Sequence, residues 1–190
     1  MATHSQLIIE PIADEESLRR GATEEDLAYV ATFASENRRC EVLAWRAIVR
    51  REFGEGVRIF YDDYGAPKID NPSKYISVSH SRQFVSVLIS DQPCAVDIED
   101  AERNFRRVAT RYLSAVELSI AEQYNLFAEM WSAKEALYKY YKRGELDFVR
   151  DISIESYNPE DANFVATILR GEAIVVDIER YDNIVVATIG

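Results

Sequence analysis

The chain has few of the residues that staple or span. Cys40 and Cys94 are its only cysteines. Two cysteines make neither a disulfide framework nor a zinc site, and both read as buried or partly buried thiols of a reducing compartment. With seven glycines and five prolines in 190 residues, no low-complexity tract or long linker is visible. No apolar run approaches the roughly 20 residues that a membrane-spanning helix needs. The start, Met1-Ala2-Thr3-His4-Ser5-Gln6, lacks the basic region and apolar core of a signal peptide. The expectation is a soluble, cytoplasmic protein. Positive charge is also short: 22 Lys and Arg face 33 Asp and Glu, a formal net charge of −11. That argues against bulk nucleic-acid binding, which needs a net basic face. Two arginine clusters stand out locally, Arg38, Arg39, Arg46, Arg50 and Arg51, and then Arg103, Arg106, Arg107 and Arg111. For most of these a solvated helix face is the ordinary reading.

What is present suffices for a packed core: 47% of the residues are hydrophobic and 11% aromatic. The length suits one larger domain or two small ones. Leu7-Ile8-Ile9 reads as a short strand. Thr23 is a fitting N-cap for a helix carrying Leu27, Val30 and Phe33. A longer helix is expected from Ser35 to Phe53, with Val42, Leu43, Trp45, Ile48 and Val49 as its apolar side and Gly54 and Gly56 as its stop. Tyr64-Gly65-Ala66-Pro67 is a turn by composition. Strands are expected at 75–79, 84–89 and 94–98. Ser114 and Glu117 have capping-box spacing. A helix from about Tyr124 to Lys142 follows, and Gly144 stops it. Four further strands are expected at 152–156, 164–169, 173–178 and 184–189. Strands and helices mix without strict alternation, so the fold class is α+β. The Gly144–Asp151 segment reads as a loop between a front and a back half.

Two segments carry the chemistry. Cys94-Ala95-Val96-Asp97-Ile98 is β-prone, and on a strand Asp97 and Glu99 share one face. Trp131-Ser132-Ala133-Lys134-Glu135 lies in the helical stretch, so Glu135 can bring a third carboxylate. Two like charges at about 4 Å repel by roughly 4 kcal/mol at an effective dielectric near 20, so converging carboxylates need a proton or a cation. Hard oxygen ligands with room for water and phosphate suit Mg²⁺. A metal-assisted enzyme acting on a phosphate ester is the first expectation. Val176-Asp177-Ile178-Glu179 echoes the first motif without a Trp-x-x-Lys-Glu helix after it, and an ordinary alternating strand accounts for it.

Five segments in order resemble the 4'-phosphopantetheinyl transferases, specifically the surfactin-synthetase-type branch. They are Gly65-Ala66-Pro67-Lys68-Ile69, Ile76-Ser77-Val78-Ser79-His80-Ser81, Val96-Asp97-Ile98-Glu99, Arg111-Tyr112-Leu113-Ser114 with Glu117, and Trp131 through Lys139. The resemblance implies transfer of the 4'-phosphopantetheine arm of coenzyme A to a serine of an acyl or peptidyl carrier protein, with release of adenosine 3',5'-bisphosphate. It implies two similar α+β halves, 1–100 and 101–190, with the active site in the cleft between them, and it suggests a monomer. It also implies roles. Asp97, Glu99 and Glu135 look like ligands of Mg²⁺ or Mn²⁺. Glu135 looks like the base for the carrier serine, directly or through water, and Lys139 its catalytic companion. Lys134 and Lys139 look like pyrophosphate contacts, and His80, with Ser79 beside it, like the contact of the 3'-phosphate. Gly65 to Lys68 match a loop near the adenine, and Arg38, Arg39 or Arg46 is expected to supply a further phosphate contact.

Plainer roles stand beside these. Trp131 could be core, His80 a structural hydrogen-bonder, and Lys134 half of a solvated pair with Glu135. Lys139, one turn beyond Glu135, fits either reading. Ala95 replaces a usual glycine, and Lys142-Arg143-Gly144-Glu145-Leu146 alters the usual Gly-x-Gly-Leu. Because carrier proteins are acidic like this chain, docking is expected to use Arg103, Arg106, Arg107 or Arg111 around an apolar contact. Two rivals remain: a non-catalytic module binding coenzyme A or a carrier protein, and an unrelated metal-dependent phosphohydrolase.

Overall fold

The computed structural model describes residues 4–141 and 144–190. Met1 to Thr3, and Lys142 and Arg143 of the altered loop motif, lie outside the described residues. The chain runs β1 (Ser5–Pro11), α1 (Glu15–Arg20), α2 (Glu24–Val30), α3 (Glu36–Phe53), β2 (Ile59–Tyr61), β3 (Pro67–Ile69), β4 (Tyr75–His80), β5 (Phe84–Ser90) and β6 (Ala95–Asp100). A 3-10 helix (Phe105–Arg111) leads into α4 (Ala115–Tyr124), α5 (Phe127–Tyr141), β7 (Ile152–Asn158), β8 (Asn163–Ile168), β9 (Ile174–Tyr181) and β10 (Ile184–Ile189). The mixed α+β class expected from the sequence is what the chain adopts.

The strands form an antiparallel sheet in the order β1-β5-β4, a larger one in the order β6-β10-β9-β8-β7, and the small β2-β3 hairpin. Residue parity sets the layering. On β5, Val85, Val87 and Ile89 pack under Trp45, Ile48 and Val49 of α3. The alternate residues Phe84 and Leu88 face the second sheet and meet Val96, Ile98, Ile184 and Val186. The far side of that sheet, with Val185, Ala187, Ile154, Phe164 and Val176, lies under Met130, Ala133, Ala136 and Leu137 of α5. The layers are therefore α3, sheet, sheet, α5. Met130 and Leu137 are fully buried, each contributing on the order of 1.5–3 kcal/mol of burial.

The helix starts follow their caps. Asp14, Thr23, Ser35 and Ser114 each accept the backbone N–H three residues on, and Ser114 with Glu117 closes a capping box. The expected single helix from Tyr124 begins later, because Asn125 takes the left-handed conformation, ending α4 before α5 opens at Phe127. The Tyr64-to-Pro67 turn joins β2 to β3, with Gly65 at φ 79°.

β6 pairs with β10 from Ala95↔Ile189 to Asp100↔Ile184, so residues 95–100, which the expected division placed with 1–100, share a sheet with β7 to β10. The Gly144–Asp151 segment, expected as a loop, joins α5 to β7. The echo at 176–179 lies on β9, two strands from β6 in the same sheet. Its phase is inverted: Val176 and Ile178 face α5 and Asp177 and Glu179 are exposed.

Arg46 and Arg50 on α3 are buried around Asp26 of α2, which takes bonds from Arg46 Nε, from Arg50 Nη2 at 2.9 Å and from Thr23 Oγ1 at 2.8 Å. Burial pushes the Asp26 carboxyl up, but the bonds from Arg50, Arg46 and Thr23 outweigh it and hold the pKa at about 2, below the usual 3.8. A depressed native pKa gives stability that is present above 3.8 and lost as the pH falls through about 2, here about 2 kcal/mol. Denaturant midpoints measured down that range should fall accordingly, and Asp26→Asn should be less stable at neutral pH and lack this part of the slope. A slope identical to wild type would place its origin elsewhere. Arg46, one of the arginines expected near a phosphate, is thus engaged by Asp26 and Glu25.

Candidate active site

Strand parity delivers the two acids as expected. Asp97 and Glu99 leave β6 on the face that carries Ala95 to the α5 core. Trp131, Ser132, Glu135 and Lys139 come down from α5 to meet them. Asp97 Oδ1 accepts from Lys139 Nζ at 2.7 Å and Ser79 Oγ at 2.9 Å, and Oδ2 accepts from Ser132 Oγ at 3.0 Å. Lys139 Nζ also donates to Ser79 Oγ at 2.8 Å and Val96 O at 3.1 Å. Glu99 Oε1 accepts from Trp131 Nε1 at 2.7 Å, and Arg103 Nη1 lies 3.3 Å from Glu99 Oε2. Trp131 is thereby both packed, in contact with Phe105, Tyr112 and Phe148, and a donor to the site.

Glu135 differs: among the described residues no hydrogen bond or ion pair reaches its carboxylate. Burial first, and then the charge of Asp97, push its pKa up to about 7. Glu99 is also raised, by burial and then by Asp97. Each acid thus feels its neighbours, as convergence requires. They are not, however, a ready-made ligand cage. Among the described residues no group of three or more His, Cys, Asp or Glu side chains is arranged to hold a metal ion as it stands. The physical reason is that Asp97 is saturated by Lys139, Ser79 and Ser132, and Glu99 is engaged by Trp131 and Arg103. The donor chemistry still fits a hard cation: carboxylate oxygens converge, the charge of Asp97 adds to the burial that raises Glu99 and Glu135, and Glu135 has no hydrogen-bond or ion-pair partner among the described residues.

β4 connects this cluster to a pocket of about 510 Å³. Its even residues, Ile76, Val78 and His80, face α3, while Ser77 and Ser79 face β6. Ser79 and Lys139 border the pocket at one end, Arg38 and His80 line it from the α3 side, and Tyr61 with the Gly65-to-Pro67 turn forms another wall. Gly144 and Glu145 reach it from beyond α5. His80 Nε2 lies 3.0 Å from Arg38 Nη1 and 3.3 Å from Glu41 Oε2. Burial, and then the charges of Arg38 and Lys139, work to lower the His80 pKa, with Glu41 opposing them; the net shift is downward.

Three expected contacts lie elsewhere. Lys134 is fully buried, its ammonium 2.7 Å from Glu117 Oε1, 2.6 Å from Phe148 O and 2.9 Å from Ile152 O, so it faces the α4–β7 interior and not a phosphate. Arg39 is spent on Glu15 and on the carbonyls of Phe33 and Ala34. Lys68 stands 3.5 Å from Asp62, outside the pocket wall. Of the three early arginines left open, Arg38 is the one at the pocket. Glu41 escaped the sequence reading, although its i,i+3 spacing from Arg38 on α3 was visible.

A family model described as the 4'-phosphopantetheinyl transferase superfamily matches residues 93–188. No curated protein matches the chain. The matched span runs from the approach to β6 into β10 and holds Asp97, Glu99, Glu135 and Lys139. It covers just over half of the sequence, and the chain belongs to the 4'-phosphopantetheinyl transferase superfamily.

Proposed function

We propose that the protein is a divalent-metal-dependent transferase of the surfactin-synthetase-type branch, moving 4'-phosphopantetheine from coenzyme A to a carrier-protein serine and releasing adenosine 3',5'-bisphosphate. The superfamily supports carrier-protein phosphopantetheinylation in general, with coenzyme A as co-substrate and typically a divalent metal. The observation that carries the finer reading is the joining, through β4, of a pocket lined by Arg38 and His80 to the Lys139, Asp97 and Glu135 cluster.

In this reading coenzyme A lies along the pocket, its 3'-phosphate toward Arg38 and His80 and its adenine near the Gly65 turn. The pyrophosphate reaches Lys139, whose ammonium offsets charge on the transferring and leaving oxygens. Asp97, Glu99 and Glu135 would hold Mg²⁺ or Mn²⁺, which when bound neutralises pyrophosphate charge. Glu135 takes the serine proton; among the described residues no hydrogen bond or ion pair competes for its carboxylate. Trp131 fixes Glu99 by its indole N–H. Such transfers rest mainly on positioning and charge neutralisation. The pairing of two similar halves, with coenzyme A between them, belongs to the same proposal, as does service in the cytoplasm by a monomer. No helix among the described residues is long and apolar enough to cross a membrane.

Arg106, Arg107 and Arg111 on the 3-10 helix are exposed, whereas Arg103 is held on Glu99 and over the Trp131 ring. Arg106→Glu with Arg107→Glu should raise KM for the carrier severalfold with KM for coenzyme A unchanged; an unchanged carrier KM removes this face from docking. The second reading is a non-catalytic module that binds coenzyme A or a carrier. Incubation with coenzyme A, Mg²⁺ and an apo-carrier, read by mass, separates them. Gain of the pantetheine arm by the carrier supports the transferase, whereas binding without gain supports the module. Phosphate release without a carrier would point to a hydrolase.

A further inference from the structure

The phosphate end of the pocket carries a built-in competitor. Arg38 and Glu41 lie one turn apart on α3 and face His80 at the end of β4. Arg38 Nη1 stands 3.1 Å from Glu41 Oε2 and 3.0 Å from His80 Nε2, and the Glu41 oxygen is 3.3 Å from the same ring nitrogen. A guanidinium only donates, so the ring nitrogen facing it accepts, and the imidazole in that contact is neutral. The cluster then holds one positive charge on Arg38 and one negative charge on Glu41. Its net charge is zero at the end of the pocket where a phosphate would arrive. Lys139 and Asp97, the other charged groups acting on His80, form their own pair 2.7 Å apart and oppose each other there.

We infer that Glu41 sets the selectivity of this pocket for a terminal phosphate, its carboxylate being a resident anion that Arg38 holds beside His80 in the free protein and that an incoming phosphate must displace. It rests on the coenzyme A reading of the pocket. The consequence is weak discrimination between coenzyme A and its 3'-dephospho form, because the phosphate replaces an existing charge contact instead of meeting a bare cation. Glu41 touches neither the pyrophosphate cluster nor the reacting bond in this account, so it determines specificity and takes no part in the chemistry.

The test is equilibrium binding by calorimetry, with chelator and without carrier, of coenzyme A and 3'-dephospho-coenzyme A to the wild-type protein, Glu41→Gln and Glu41→Ala. Both substitutions should tighten coenzyme A by about tenfold, the order expected when a like charge is removed at a partly screened contact. Both should leave the dephospho form unchanged. Wild-type protein should bind the two ligands within a few-fold of each other. Equal effects on both ligands, no effect, or weaker coenzyme A binding in the variants would overturn the role of Glu41 while leaving the pocket reading intact. Failure of the wild-type protein to bind either ligand would overturn the pocket reading and this role with it.

Discussion

Lys134→Met should destabilise the protein by about 3–5 kcal/mol, because it strands Glu117 as a buried charge without its partner. Both side chains are almost wholly buried, at 0% and 2% exposure, and their contact is 2.7 Å. The ammonium also ties two carbonyls, Phe148 O and Ile152 O, that bracket the turn between α5 and β7. Glu117 in turn accepts from Ile154 N at 2.8 Å and from Ser114 N at 2.7 Å. One ion pair thus fastens α4, α5 and the first strand of the C-terminal meander. For a chain of this size each kcal/mol shifts the melting temperature by roughly 2–4 °C, so a loss of about 10 °C is expected. Adding Glu117→Gln to the Lys134→Met protein should recover part of it, since the amide oxygen still accepts a backbone N–H without a bare charge. Coenzyme A affinity, measured at a temperature where the variant is folded, should not change. A variant with wild-type melting and weakened coenzyme A binding would restore Lys134 as a phosphate contact.

Asp97→Asn should lower kcat by about 10²–10³-fold, the range seen when one preorganised charge-stabilising group is removed from an active site. Asp97 has two jobs: it sets the position of Lys139 at 2.7 Å, and it supplies the most strongly engaged carboxylate of the acidic cluster. Asparagine keeps the volume and can still accept from Ser79 or Ser132, so the fold should survive and the melting temperature should move little. Losing the charge leaves Lys139 without its anchor and removes a hard oxygen ligand. The acid is 4% exposed, which makes Asp97→Ala a poorer choice, since it would open a hole among three donors. Activity within a few-fold of wild type, with normal melting, would exclude Asp97 from the chemistry.

Much of this site was legible before any coordinates, for reasons of periodicity. Period two puts Asp97 and Glu99 on one face of β6, and a spacing of four puts Glu135 and Lys139 on one side of α5. The caps at Thr23 and Ser114 were equally plain, because their signal lies within four residues. What failed was long-range. Lys134 reads as a surface lysine beside Glu135, yet it lies four residues after Met130 and three before Leu137, on the buried stripe of the helix. That phase was available; its countercharge Glu117, on another helix, was not. Arg46 and Asp26 repeat the pattern, with a buried arginine explained only by an acid 20 residues away. The assignment of β6 to the C-terminal sheet depends on its pairing with β10, some 90 residues on, which no local pattern encodes. The ion pair of Lys139 with Asp97 was likewise not foreseen, since it joins residues 42 apart in the chain.

The most direct measurement is a crystal structure with coenzyme A and Mn²⁺, read by the anomalous signal of the metal. The account predicts one strong peak bounded by carboxylate oxygens of Asp97, Glu99 and Glu135, with the pyrophosphate against it and Lys139 moved from Asp97 onto phosphate oxygen. A metal bound away from those three acids, or coenzyme A seated outside the pocket that Arg38 and His80 line, would contradict it.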